Sequence, residues 1–473
     1  MKLQEEKKQL ERALLLISAK AREFDLDFYD MFFEICPADI IYTFGAYSMP
    51  TRYSHWSFGK AYHKMKTQYD YNLGRIYEMV INSDPCYAFL LEGNTLIQNK
   101  LVMAHVLAHC DFFKNNVHFQ KTSRQMVESM AVAANRFRDY ELRYGQARVE
   151  SFIDAVVAIQ DHIEPRDLRK NVKTSGFSQR QTDHAKNPET PYDDLWSIGE
   201  NRAADNVGYE KKTFPAEPEK DLVMFIAQYS KELAEWQRDI MSVIRQEMLY
   251  FWPQMETKIM NEGWASYWHL RIMREMELDE AEAVEFAKMH SDIMQTSKTR
   301  LNPYTLGLKI FENIEKRWDR PTPEEREKYG RPGGQGREKI FAVRATENDV
   351  SFLRNYLTKE LVEEMDLYLY EKAGYDWKII EKEWEKVRDA IVSSLINCGY
   401  PYIVVQEGDY NKRGELYLKH EYEDMELDVV YLEKTLPHVY TLWGRPVHLE
   451  TVLDNKPVIF SYDGGKGSRK ILA

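Results

Sequence analysis

Two histidines four positions apart, His105 and His109, interrupt a long apolar stretch that covers residues 85–113. Positions i and i+4 lie one above the other on a helix, so a helical stretch would present both imidazoles on the same face. Because its other faces are almost entirely apolar, the stretch predicts a buried central helix. Asn94 and Gln98 fall within about 60° of the two histidines around this helix, so its polar residues form one narrow stripe.

A polar stripe on a buried helix needs partners, because each unpaired buried group costs roughly 1–3 kcal/mol. Two imidazoles at this spacing can bind one metal ion, as in the His-Glu-x-x-His motif of zinc proteases. Here Val106 takes the place of that glutamate, so the metal ligands are present and the usual general base is missing. The alternative interpretation is a buried hydrogen-bond network that holds no metal.

A second predicted helix supplies further ligands. Glu262, Ser266 and His269 follow the spacing i, i+4, i+7 and share one helical face among large, mostly apolar neighbours. We predict a metal site formed by His105, His109 and Glu262. His269 would then be a fourth ligand or a group that stabilises a transition state. These donors favour Zn²⁺, although Fe²⁺ and Mn²⁺ use the same ligands. A closed four-ligand site would be structural, whereas three ligands and a water would be catalytic.

A base other than residue 106 has to activate a metal-bound water. The candidate catalytic residues are Glu92, Asp111 and His269. A glutamate of the preceding predicted helix, Glu247, is a further candidate base. Asp111 has the alternative role of fixing the tautomer of an imidazole. The sequence leaves the choice among them open.

The candidate substrate-binding residues come from two places. Residues 49–59 form a predicted loop that contains Arg52, His55 and Trp56, in which Arg52 would clamp a carboxylate or phosphate. The alternative is a turn whose aromatic residues only pack on the core. Asn94 and Gln98, on the polar stripe, complete the predicted substrate-binding set.

The composition restricts the class and the location of the protein. Its 473 residues suffice for two or three domains. A net charge of −12 argues against a nucleic-acid partner, which would need a basic surface. Four cysteines without a Cys-x-x-Cys pair indicate a reduced chain. No run of 18 apolar residues and no apolar signal core occurs, so we expect no membrane span and a cytoplasmic location.

Hydrophobic periodicity predicts a mainly α fold in two domains. A large helical domain would occupy residues 1–319, interrupted by an irregular insert or lid at about residues 164–219. The Pro- and Gly-rich residues 320–337 would be a linker, followed by a small α+β domain at residues 338–473. In finer detail, residues 37–44 suggest a strand and residues 60–81 a helix. Pro253 suits the first turn of the helix that carries Glu262.

Several segments resemble the stage V sporulation protein R (SpoVR) family, in order and over nearly the whole chain. They are residues 37–46, 49–59, 105–116, 257–269 and 301–307. The resemblance implies a role in forming the spore cortex, a modified peptidoglycan. It does not specify a reaction.

The two segments with candidate metal ligands also resemble gluzincin metallopeptidases. His105-x-x-x-His109 followed by Phe-Phe-Lys-Asn, and later Asn261-Glu262-Gly-Trp-Ala, are similar to the two helices of that group. The resemblance implies a gluzincin-like helical domain in which Glu262 is the third zinc ligand. The sequence departs from the pattern at Val106 and in the 153 positions from His109 to Glu262.

The favoured hypothesis is a metal-dependent amide or peptide hydrolase acting on a peptidoglycan-related peptide or precursor in the cytoplasm. The first alternative is a catalytically inactive metallopeptidase-like protein that regulates cortex synthesis, which Val106 favours. The second is a scaffold in a cytoplasmic complex. It would bind protein partners through the insert and the C-terminal domain.

Overall fold

The computed structural model describes residues 2–71, 73–166, 214–295, 300–374 and 376–472. These residues are mainly helical, as predicted. Six helices precede residue 158: α1 (Lys2–Glu23), α2 (Ala38–Tyr47), α3 (Trp56–Asp70), α4 (Leu96–Asn115), α5 (Met126–Tyr144) and α6 (Gln146–Val157). The later helices are α7 (Leu222–Tyr229), α8 (Glu235–Glu256), α9 (Lys258–Arg274), α10 (Glu280–Ile293), α11 (Pro303–Asp319), α12 (Pro323–Tyr329), α13 (Gly336–Thr346), α14 (Asp349–Tyr356), α15 (Lys359–Glu364), α16 (Trp384–Leu395) and α17 (Val429–Trp443).

The described strands form three sheets. The strands are β1 (Met31–Cys36), β2 (Glu78–Ile81), β3 (Cys86–Leu91), β4 (Leu369–Ala373), β5 (Asp376–Glu381), β6 (Ile403–Tyr410), β7 (Glu415–His420), β8 (Val447–Leu453), β9 (Lys456–Tyr462) and β10 (Gly467–Ile471). The first sheet has the order β1-β3-β2, with β1 parallel and β2 antiparallel to β3. Strands β4 and β5 form a hairpin, and the last sheet has the order β10-β9-β8-β7-β6. The predicted C-terminal sheet is therefore confirmed.

Two apolar cores hold these elements together. The first core is formed by α1, α4, α9, α11 and α13–α16, together with the inner face of the first sheet. The second core is formed by α5–α8, α17 and the last sheet. Helix α4 is buried on all sides from Leu101 to Phe113, as its apolar sequence predicts.

The predicted domain boundary does not coincide with the division between the cores. Residues 320–337 contain α12, and Ile340, Phe352 and Val387 beyond them pack in the first core. The prolines and glycines of this stretch mark turns and helix starts, since Gly330, Gly333 and other glycines adopt positive φ. The last sheet packs against helices that precede residue 257, so residues 338–473 do not form a core of their own.

Four predictions of local structure were wrong. Residues 38–44, predicted as part of a strand, lie in α2, and residues 60–81 divide into the larger part of α3 and strand β2. Residues 85–113, predicted as one helix, form strand β3, a turn and α4. The prediction failed because a short buried strand and a buried helix have similar apolar runs. Pro253 lies inside α8, and the helix with Glu262 begins at Lys258. Most of the predicted insert lies outside the described residues.

The sequence predicts that no segment spans a membrane. Among the described helices, none is both long enough and apolar enough to cross a membrane.

A glycine contact sets the distance between α9 and α11. A Cβ on Gly263 would lie 2.8 Å from the backbone nitrogen of Leu308, and one on Gly307 would overlap the carbonyl of Ile259. The two helices therefore touch through their backbones. Asp349 of α14 fixes the start of α9, because its carboxylate accepts the N–H groups of Ile259 and Met260 at 2.8 and 2.9 Å.

Substituting the contact glycine should destabilise the protein. We expect Gly307→Ala to lower the free energy of unfolding in urea by about 1–3 kcal/mol or more, because the new methyl group meets rigid backbone. The matched control is Gly59→Ala on the exposed face of α3, where a Cβ has nothing within 4 Å. The control should be neutral or stabilising by up to about 1 kcal/mol. Equal effects at the two positions would refute the close contact.

Candidate metal centre

The predicted ligands His105, His109 and Glu262 lie together between α4 and α9. Glu262 Oε2 is 3.6 Å from His105 Nε2 and 3.5 Å from His109 Nε2. All three donor atoms lie within 4.8 Å of one another. These separations are long for hydrogen bonds. They are close to the roughly 3.4 Å that separates two ligand atoms around tetrahedral zinc with bonds of about 2.1 Å.

The cluster is closed by protein on most sides. The side chains of His105 and His109 are 5% and 8% exposed, whereas that of Glu262 is 18% exposed. The histidines lie one helical turn apart on α4, and α9 packs along this face. Glu262 therefore marks the side on which the cluster is open to solvent.

The electrostatics of the cluster suit a cation. Glu262 Oε2 is buried and has no hydrogen-bond partner among the described residues. Burial alone would raise the pKa of Glu262, but its interactions with His105 and His109 lower it below the ordinary value. Burial, and then the neighbouring His105, lower the pKa of His109 to about 4. An ionised carboxylate beside a neutral imidazole is the protonation state that metal binding requires.

Asn261 fixes the tautomer of His109. Its Oδ1 lies 2.8 Å from His109 Nδ1, and an amide oxygen can only accept a hydrogen bond. The proton of His109 is therefore on Nδ1, and the lone pair of Nε2 faces Glu262. Hydrogen bonds of this kind orient metal-binding histidines in proteins.

His269 lies behind His105 and outside the group of three donors. Its Nδ1 is 3.0 Å from His105 Nδ1, and its Nε2 is 3.2 Å from Nδ1 of His290 on α10. With Nε2 of His105 as the ligand atom, Nδ1–H of His105 donates to His269, which donates in turn to His290. Burial, and then His105, hold the pKa of His269 well below its ordinary value, which keeps it neutral. The geometry thus gives His269 a positioning role and does not bring it into a fourth ligand position.

Two residues that the sequence analysis missed face the cluster. The ring of Tyr304, in the first turn of α11, stacks beside His105 with 6.1 Å between centroids. Its pKa is raised by burial first, and then by the carboxylates of Glu262 and Glu78. Glu78, the first residue of β2, has its pKa raised by burial and interacts electrostatically with His105 and Glu262. Tyr304 lies in residues 301–307, one of the segments that resemble the SpoVR family. Glu78 lies in residues 60–81, which were predicted to be helical.

The predicted base Asp111 is a structural residue. It is fully buried and accepts hydrogen bonds of 2.8 Å from the Asp27 backbone N–H and from Trp264 Nε1. Arg344 of α13 lies 3.5 Å from the same carboxylate. Asp111 lies about 200° around α4 from His109, so it faces away from the cluster. It joins α4 to the α1–β1 connection, α9 and α13, and this position does not bring it to the three candidate ligands.

Glu92, Asn94 and Gln98 are also remote from the cluster. Glu92 is exposed in the turn after β3, and α4 places His105 about 13 Å beyond its own first residue. Asn94 precedes α4 and donates a 2.9 Å hydrogen bond to the carbonyl of Tyr77. Gln98 forms a capping box with Thr95 at the start of α4. Gln98 shares the helix face of the two histidines but lies about 10 Å before His105 along the axis, and its side chain accepts the backbone N–H of Thr95. Asn94 lies before the first residue of the helix, Leu96.

The predicted substrate loop packs on the second core. Arg52 forms a buried ion pair with Glu247 of α8 and lies 4.2 Å from the centroid of the Phe58 ring. This pairing also accounts for Glu247, the further candidate base. His55 Nε2 and Trp56 Nε1 both contact Asp154 of α6, at 3.0 and 2.7 Å. None of the described contacts of the loop reaches the three candidate ligands.

Removing the group that orients His109 should weaken metal binding. We expect Asn261→Ala to reduce zinc affinity by about 10–100-fold, because Nδ1 loses its acceptor and the ring loses its fixed orientation. The measurement is a competition titration with a chromophoric chelator on protein without an affinity tag. His63→Ala, at an exposed position of α3, is the control and should leave the affinity unchanged. An unchanged affinity in Asn261→Ala would contradict the assigned tautomer.

Breaking the ion pair between Arg52 and Glu247 should affect folding and not metal binding. We expect Arg52→Leu to lower the free energy of unfolding by about 3–5 kcal/mol, because Glu247 is left as an unpaired buried charge. Glu11→Ala removes one partner of an exposed ion pair on α1 and should cost less than about 1 kcal/mol. If Arg52→Leu were as stable as wild type, Arg52 would be free to bind a ligand.

Comparison with known proteins extends over nearly the whole chain. No solved structure matches it, so the likeness to gluzincins stays a prediction. A relative in Escherichia coli (strain K12), described as the uncharacterized protein YcgB, is 28% identical over 465 residues, which cover 92% of this chain and 90% of the relative. The family described as "SpoVR like protein" matches residues 4–400, and the family described as "SpoVR-like C-terminal domain" matches residues 401–454. The chain therefore belongs to the SpoVR family.

Proposed function

We propose that the chain is a metal-dependent hydrolase of amide or peptide bonds, with the metal held by His105, His109 and Glu262. The observation that carries the proposal is the position of Glu262 Oε2, which is buried and unbonded and lies 3.5–3.6 Å from two imidazole nitrogens. A hydrogen-bond network would draw these atoms closer together, whereas a cation between them accounts for the separation. Zinc fits two nitrogens and one carboxylate best, and iron or manganese accept the same donors.

The residues around the cluster fit a hydrolytic role. A zinc ion with three protein ligands lowers the pKa of a bound water and polarises a carbonyl group. Tyr304 supplies an O–H group beside Glu262, and its raised pKa keeps it a hydrogen-bond donor. Such a donor can stabilise negative charge that develops on a carbonyl oxygen. His269 and Asn261 hold the two imidazoles in the orientation that binding requires.

The first sheet supplies a reason to propose a peptide substrate. Strand β2 is an edge strand and starts at Glu78, next to the cluster. An edge strand can pair with an extended peptide through backbone hydrogen bonds. Family membership points to a sporulation-related protein. We therefore propose a peptide or precursor related to the peptidoglycan of the spore cortex as substrate, and the cytoplasm as the place of action.

A second candidate is a catalytically inactive protein that binds a ligand at this site and regulates or scaffolds cortex synthesis. The observation that favours it is Val106, which is fully buried in the first core where the zinc-protease motif has its glutamate. The two candidates differ in turnover and agree in metal binding. A hydrolase must also present a different base to the water.

Metal content tests the proposal directly. Wild-type protein purified without an affinity tag should contain about one zinc, iron or manganese ion per chain, measured by mass spectrometry. His105→Ala and Glu262→Ala should lose it, because two protein donors rarely retain a metal site, whereas His63→Ala should keep it. Metal-loaded protein should release amines from cortex-type stem peptides, and a chelator should stop the release. A folded wild-type protein without metal would refute the proposal, and metal without turnover would favour the regulatory candidate.

A further inference from the structure

The candidate metal centre has no base at residue 106, and the bases predicted from sequence are used elsewhere. Asp111 and Glu247 are held in structural contacts, Glu92 is remote, and His269 positions His105. A carboxylate that accepts the proton of the attacking water must therefore lie on another element. Strand β3 of the first sheet packs against α4, and β2 is the neighbour of β3 in that sheet.

The alternation of β2 places Glu78 on the correct face. Val80, two residues further along β2, packs in the first core, as do Ala88 and Leu90 of the neighbouring strand. Side chains two residues apart on a strand point to the same side, and Leu90 is the register partner of Glu78. Glu78 therefore points to the side of the sheet that packs in the first core, the core that contains α4.

The backbone at Glu78 is held in place. The carbonyl of the preceding residue, Tyr77, accepts hydrogen bonds from Leu91 N at 3.1 Å and from Asn94 Nδ2 at 2.9 Å. Asn94 lies outside the site and acts on it only by holding the backbone that precedes Glu78. The strand start that carries Glu78 and the turn that starts α4 are fixed to one another by these bonds.

The Glu78 side chain is partly exposed, so its carboxylate can reach solvent as well as the cluster. Its electrostatic neighbours are His105, Glu262 and Tyr304. It lies outside the group of three donors that come within 4.8 Å of one another, so it is beside the metal position and not among the ligands. A carboxylate that is partly open to solvent and within electrostatic range of the candidate ligands can accept a proton from a water at the site.

We propose that Glu78 is the carboxylate that accepts the proton of the attacking water, in place of the glutamate absent at residue 106. The inference rests on the proposed hydrolase function. The water oxygen forms a bond to the amide carbon, its proton passes to Glu78, and the carbonyl electron pair moves to oxygen. When the C–N bond breaks, Glu78 returns the proton to the leaving nitrogen. The products are a carboxylic acid and an amine, and Glu78 is again ionised.

The test compares Glu78→Gln with Glu34→Gln, an exposed position on β1 at the opposite edge of the same sheet. Zinc affinity is measured first. Glu78→Gln should bind one zinc per chain with an affinity within about threefold of wild type, because Glu78 is not a ligand. Loss of zinc from Glu78→Gln, with zinc retained in the control, would show that Glu78 is a ligand and would overturn the inference.

The second measurement does not depend on turnover. Acetohydroxamic acid binds a metal as its anion and gives its proton to a nearby base, so its affinity for the zinc-loaded protein reports the base. We expect Glu78→Gln to lower the affinity for the hydroxamate by about tenfold or more. The same variant should slow the cleavage of stem peptides by about 10²–10⁴-fold. Glu34→Gln should change neither quantity. Glu78→Asp, which keeps the charge on a shorter side chain, should retain part of both. Thermal unfolding should show that Glu78→Gln is as stable as wild type.

The outcomes separate the inference from the proposed function. If wild type binds zinc and the hydroxamate, and Glu78→Gln binds both equally well, the metal centre stands and Glu78 is not its base. If wild type is folded but binds no zinc, the proposed function fails and the inference fails with it.

Discussion

The packing of α4 against α9 is the contact on which the rest of the structure depends. Each helix is buried on nearly all sides, and the candidate metal centre takes two ligands from α4 and one from α9. Helix α9 is held from the other side by the backbone contact between Gly263 and Gly307, and at its start by Asp349. Since the ligand atoms must be placed to within a few tenths of an ångström, a rigid pair of helices is the support that a metal centre needs.

The packing of α4 and α9 also buries polar groups, and most of those groups form hydrogen bonds. Asp111 is bonded to α9 and to the α1–β1 connection, and Asn261 and His269 are bonded to the two histidines. One exception lies in the candidate metal centre. Glu262 Oε2 is buried and has no hydrogen-bond partner among the described residues. Because a buried carboxylate oxygen is costly to leave unpaired, its position between two imidazoles favours a site for a cation.

The sequence was sufficient for the part of the site that lies on helices. The spacing of His105 and His109 and the position of Glu262 predicted three side chains that the structure brings together, although 153 positions separate the second histidine from the glutamate. The sequence was not sufficient where a buried strand and a buried helix have the same apolar pattern. The run Cys86–Leu91 has no period that distinguishes a buried strand from a buried helix, so β2 and β3 were missed and Glu78 with them. The sequence left the role of Arg52 open, because its partner in the structure, Glu247, lies 195 positions away and no local pattern reveals such a pair.

A metal site can keep its ligands on helices while its base comes from a different element. In the zinc-protease motif the ligands and the base share one helix, so their relative placement is fixed by helical geometry alone. Here the candidate ligands are on helices, and the proposed base, Glu78, is on a strand at the edge of the described sheet. Their relative placement depends on the turn between β3 and α4, where Asn94 holds the strand start and Thr95 begins the helix. This turn therefore has to be as rigid as the helices, and its capping box and side-chain hydrogen bond provide that rigidity without a residue of the turn entering the site.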